Sequence, residues 1–105
     1  MPLSDDQALT LHIEAVHYEA QAAVCAMHFS IMAVPLQDAY AKWRAAHAAA
    51  LQEGAAAAAR RGMNGPKPPS LADMASMQAQ LLGALPQDDM QRRCNELLAS
   101  AALPK

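Results

Sequence analysis

No glycine or proline interrupts the chain between Ser4 and Val34, and that stretch limits what the molecule can become. Glycine and proline cost most inside a helix, so a long run without them favours one extended helix. Its start is marked by Ser4 and Gln7, an N-cap and capping-box pair, with Asp5 and Asp6 at the positive end of the helix dipole. Its end is set by Pro35, which disfavours helical geometry at Val34. The pattern predicts a first helix over 5–33.

Pro35 suits the first turn of a second helix, predicted over 36–61. Gly54 falls within it, but the alanines and arginines that follow favour continuation. The stretch GMNGPKPPS, residues 62–70, is rich in proline and glycine and reads as a loop. Ser70 with Asp73 opens a third helix, 71–85, closed by Pro86. Asp88 caps a fourth, 89–103, before Pro104. No strand-like alternation occurs. The expectation is a single all-α domain over residues 1–105. It is a small helical bundle built on a long antiparallel hairpin of helices 1 and 2, with two short C-terminal helices.

On a helical wheel, helix 1 carries two apolar seams. One holds Leu9, Ile13, Val16, Ala20, Ala23, Met27 and Val34; the other holds Leu11, Ala15, Tyr18, Ala22, Cys25, Phe29 and Met32. Both alternate steps of three and four, the spacing of coiled-coil-like packing. A helix with two stripes needs neighbours on both sides. Helix 2 offers one good stripe: Leu36, Tyr40, Trp43, His47, Ala50 and Leu51. We read Ile13, Val16 and Met27 with Tyr40, Trp43 and His47 as the hairpin core. That leaves Leu11, Tyr18, Cys25, Phe29 and Met32 as the ridge for a protein partner or a second copy, unless the short helices cover it. Apolar residues make up 53% of the chain, but alanine dominates them. Alanine forms helices well and fills cores poorly, which favours completion of the core by a second chain.

Helix 1 also carries His12, His17 and His28. Glu14 and His17 form an E-x-x-H pair of the kind that binds iron or manganese in ferritin-like bundles, but those sites need a second such pair, which this chain lacks. Cys25 and His28 lack the further ligands that zinc requires. Glu14, His17, Gln21 and His28 therefore read as a polar strip between the seams. His47 lies in an apolar stripe; buried and neutral there, it would weaken packing on protonation near neutrality. No nucleophile elbow, phosphate-binding loop, zincin or dinucleotide motif is present. No catalytic residue, metal or cofactor is assigned, and no enzymatic activity is expected.

A formal charge of −2 argues against a nucleic-acid polyanion. A nucleic-acid-associated regulator is the first alternative, using Arg60 and Arg61 or Arg92 and Arg93; a His/Glu/Cys metal-binding bundle is the second. The apolar run from Ala20 to Val34 is too short and too broken to cross a bilayer. The start of the chain lacks a basic signal-peptide region, and the two cysteines fit no CxxC pattern. The expectation is a reduced, cytoplasmic, alanine-rich interaction module: an adaptor, chaperone or inhibitor, self-associating as a homodimer, of the kind phages and mobile elements encode.

Overall fold

The computed structural model describes residues 4–67 and 69–102, the side chain of Ala102 excepted. It contains α1 (Asp5–His28), α2 (Ala33–Ala46), α3 (Ala48–Arg60), α4 (Leu71–Gly83) and α5 (Gln87–Ala102), with a 3-10 turn at Ser30–Met32. The fold is an all-α helical bundle, and no strand occurs among the described residues. Leu103 and Pro104, the expected end of the last helix, lie outside them.

Both capping boxes are present. Gln7 N donates to Ser4 Oγ at 3.1 Å and Ser4 N donates to Gln7 Oε1 at 3.0 Å. Ser70 and Asp73 repeat the exchange at the head of α4. The end of α3 is a Schellman cap: Met63 N donates to Ala58 O and Gly62 N to Ala59 O. Gly62 has φ 71°, a left-handed conformation that glycine adopts without steric cost.

Two expected helices are broken. Helix 1 stops at His28 instead of Ala33, and Phe29 leaves helical geometry at φ −132°, ψ 81°. Pro35 explains why a break occurs. Inside a longer helix its ring would collide with the carbonyl four residues back, so the chain restarts at Ala33 and places Pro35 in the first turn of α2, where no N–H is missed. Val34 is helical within that turn. The second break falls at His47, with φ −120° and ψ 23°, and splits the expected second helix into α2 and α3.

These breaks let α2 and α3 return along one flank of α1 as two bent segments. At the far end, Arg60 meets Asp5 at 3.2 Å and Arg61 meets Asp6 at 2.9 Å. Gly54, buried in α3, sits directly against the backbone of Ala8. On the other flank α4 lies along α1 from Val16 to His28. Helix α5 forms a second layer over α1 and α2, running opposite to α1: Cys94 is bonded to Cys25 and Leu97 to Ala101 lie over Glu14 to Gln21. The molecule is a slab of 38 × 33 × 16 Å, covered by α5 on one side of α1 only.

Candidate interaction surface

The inner surface of α1 is built around aromatic rings. Tyr18 stacks on Tyr40 at 4.7 Å between centroids, Tyr40 on Trp43 at 6.0 Å, and Trp43 approaches His47 at 5.1 Å. The phenols bolt the two helices together reciprocally. Tyr18, on α1, donates its hydroxyl to Leu36 O on α2 at 3.1 Å; Tyr40, on α2, donates to Ala15 O on α1 at 3.3 Å. Burial pushes the Tyr18 phenol above its ordinary range, helped by Tyr40. Burial also raises Tyr40, against the hydrogen bond from Arg44 Nη1, which favours the phenolate.

This arrangement reverses the expected roles of the two seams. Tyr18, Cys25 and Met32, expected to face a partner, are buried in the main core with Leu36, Leu82, Met90 and Cys94, and Phe29 packs against it. Leu11 packs on a smaller cluster of Ala15, Trp43 and Leu51. The ridge is internal because α2, α4 and α5 close over it, with Leu11 covered by Trp43 and Leu51. The seam assigned to the hairpin core is the outer one beyond Leu9, which is itself buried. Ile13 and Val16 are only half-buried, and Met27 is 79% exposed. Tyr40 and Trp43 do pack between α1 and α2, but His47 does not continue their stripe. It is half-exposed at the bend, where its Nδ1 lies 2.9 Å from Trp43 O. That contact requires an Nδ1–H, and the half-exposed ring is not the buried histidine expected from the sequence.

The expected free thiols form a disulfide, with Cα atoms 5.8 Å apart and both residues fully buried. Neither spacing nor composition signalled it, because the pairing depends on α5 lying over α1.

The outer surface is largely apolar, with the exposed Glu19 beside it lining both of its depressions. From Val16 through Ala20 and Ala23 to Met27, the α1 ridge stands between two depressions. One is an open trough of about 570 Å³ shared with α4, floored by small residues such as Ala75, Ala79 and Gly83. The other, of about 270 Å³, is shared with α2 and lined by Ala22, Ala23, Ala26, Ala33 and Leu36 among others. At the α1–α2 corner Ile31 is 87% and Val34 63% exposed.

The arginines of the nucleic-acid alternative are all paired with carboxylates. Besides the pairs at Asp5 and Asp6, Arg92 meets Asp89 at 2.8 Å and Arg93 meets Glu96 at 3.8 Å. Among the described residues no helix is long and apolar enough to cross a membrane, and no three His, Cys, Asp or Glu side chains converge as metal ligands would. No family model, curated protein or solved structure matches this chain.

Proposed function

We propose that this protein is a non-enzymatic interaction module whose first partner is a second copy of itself, docked through the outer seam of α1. The observation that carries the reading is the bare apolar ridge of Val16, Ala20, Ala23 and Met27, continued by Ile31 and Val34. A domain normally packs its elements into layers around a core; here α5 covers α1 and α2 on one side, and among the described residues no helix covers the other.

The area supports a second copy. A compact monomer of 11.2 kDa exposes about 5,700 Å², whereas this chain exposes 6835 Å². The surplus, about 1,100 Å² over the whole chain, is of the size that one side of a standard interface covers, roughly 800 Å². The paired arginines leave little free positive charge for a phosphate backbone, which supports a protein partner over nucleic acid. Adaptor, chaperone or inhibitor roles then fall to surfaces the dimer leaves free.

The compartment is tied to Cys25–Cys94. Cytosolic thiols are kept reduced, so we place the working form where the pair stays oxidised. Alkylation of free thiols at the moment of lysis tests this; two labelled cysteines per chain return the protein to the reduced, cytoplasmic expectation.

Light scattering behind a sizing column, over a concentration series, tests the association. The expected mass is twice that of the chain. Met27→Glu with Ile31→Glu should give a monomer of unchanged helicity, because neither side chain is buried. A wild-type monomer at every concentration overturns the reading, as does a dimer indifferent to both changes.

A further inference from the structure

A second surface lies where the dimer seam does not reach. Between α1, α2 and α5 is a half-enclosed cleft of about 280 Å³. Its floor is Tyr18, Trp43, Leu97 and Ala101; its polar lining is Glu14, His17, Gln21 and Ser100. The spacing explains the convergence. Glu14, His17, Gln21 and Tyr18 fall on one helical face, and α5 closes that face from above. The E-x-x-H pair thus points into a cleft, with no second pair to complete a metal site.

Among the described residues the side chains of Glu14, His17 and Gln21 make no hydrogen bond or ion pair with protein; the Ser100 hydroxyl donates to Leu97 O at 2.7 Å. Glu14 brings the cleft's formal negative charge and no lysine or arginine lines it. Apolar walls with a few converging polar groups are the ordinary composition of a small-ligand site.

We infer that this cleft binds a small organic ammonium ion, its charged nitrogen at Glu14 and its alkyl body on Tyr18, Trp43 and Leu97. Gln21 and Ser100 accept the remaining N–H groups. An anion meets the Glu14 carboxylate and no counter-charge. A neutral ligand of the same size gains the floor but not the charge-assisted hydrogen bond, the stronger kind.

Trp43 is the only tryptophan and part of the floor, so its fluorescence reports occupancy. The intact oxidised protein is titrated with n-butylammonium, n-butanol and n-butyrate at constant ionic strength. Saturable change is expected with butylammonium, binding about two- to fivefold weaker for butanol, because the charged contact is made at an exposed carboxylate and is screened, and no binding of butyrate. Glu14→Gln should weaken butylammonium by a similar factor while leaving helicity and dimer mass unchanged, since Glu14 lies off the seam. Because fluorescence can respond from a distance, amide NMR shifts are followed in parallel and should localise to Glu14–Gln21 and Leu97–Ala101. Absence of saturation, equal affinity for butanol, indifference to Glu14→Gln, or shifts centred elsewhere overturn the assignment.

Discussion

Replacing Gly54 with alanine adds one methyl group where α3 touches the Ala8 backbone and the His12 Cβ. In an isolated helix the change would stabilise by about 1 kcal/mol, because glycine loses the most backbone freedom. Here the new Cβ overlaps main-chain atoms that cannot rotate away, and overpacking of this kind costs about 1–3 kcal/mol. Gly54→Ala should therefore lower the thermal midpoint, and a raised midpoint would mean that α1 and α3 are not held this closely. The sequence presents Gly54 only as a place where a helix could stop; the close approach appears once a second helix is beside it. The phenols give a second prediction at this scale. Both tyrosines hold their protons above the ordinary phenol value of 10.0, so the unfolded chain ionises first. Their contribution to stability is complete below about pH 10 and is lost as the pH rises through the folded values. Spectrophotometric titration should show both tyrosines ionising later in the native protein than in denaturant. A native titration matching the denatured one would place the rings in water.

Helix α5 has the least apolar sequence of the five, yet it covers the core. Met90, Cys94, Leu97 and Leu98 supply its inner face, and the disulfide ties that face to α1 across a sequence separation of 69 residues. Closing a loop of this length restricts the unfolded chain, and removing such a link costs about 2–4 kcal/mol. Cys25→Ala with Cys94→Ala should lower unfolding stability by that amount, and hydrogen exchange should speed up first in α5. Uniform exchange with unchanged stability would mean that α5 is held by its apolar contacts alone. What the sequence revealed of the elements divides in the same way. Capping boxes at Ser4 and Ser70 and the Gly62 terminus rest on local hydrogen bonds and were readable from neighbouring residues. The break at Phe29 was readable only in part, because Pro35 forbids a continuous helix without choosing which upstream residue yields. The bend at His47 has no glycine or proline behind it. It follows from α3 packing on α1, which residues 46–48 do not encode by themselves.

At the scale of the whole molecule, two seams on α1 were legible in the sequence, but which one faces inward was not. Each has a coiled-coil spacing, and the choice depends on the summed surface that α2, α4 and α5 offer. The bulkier ridge of Tyr18, Phe29 and Met32 gains more from burial per residue, so the aromatic seam went inside and the alanine-centred seam stayed out. That leaves a slab with a radius of gyration of 14.3 Å, where a compact chain of this length would have about 13 Å. An alanine-centred ridge suits a second copy for a geometric reason. A two-fold dimer places the same patch on both subunits, and small residues at the axis let two α1 helices approach closely, as Gly54 and Ala8 do within the chain. With α1 antiparallel to its copy and Ala20 opposite Ala23, Val16 stands opposite Met27, a branched side chain beside an adaptable one. This arrangement makes a prediction that mass alone does not. The native cysteines are bonded to each other, so one introduced thiol is a clean probe. Ala20→Cys, next to the two-fold axis, should form an intermolecular disulfide under mild oxidation. Met77→Cys, on an exposed stretch of α4 off the outer trough, should stay free. Cross-linking through Met77→Cys, or none through Ala20→Cys in a protein that remains dimeric, would move the interface off α1.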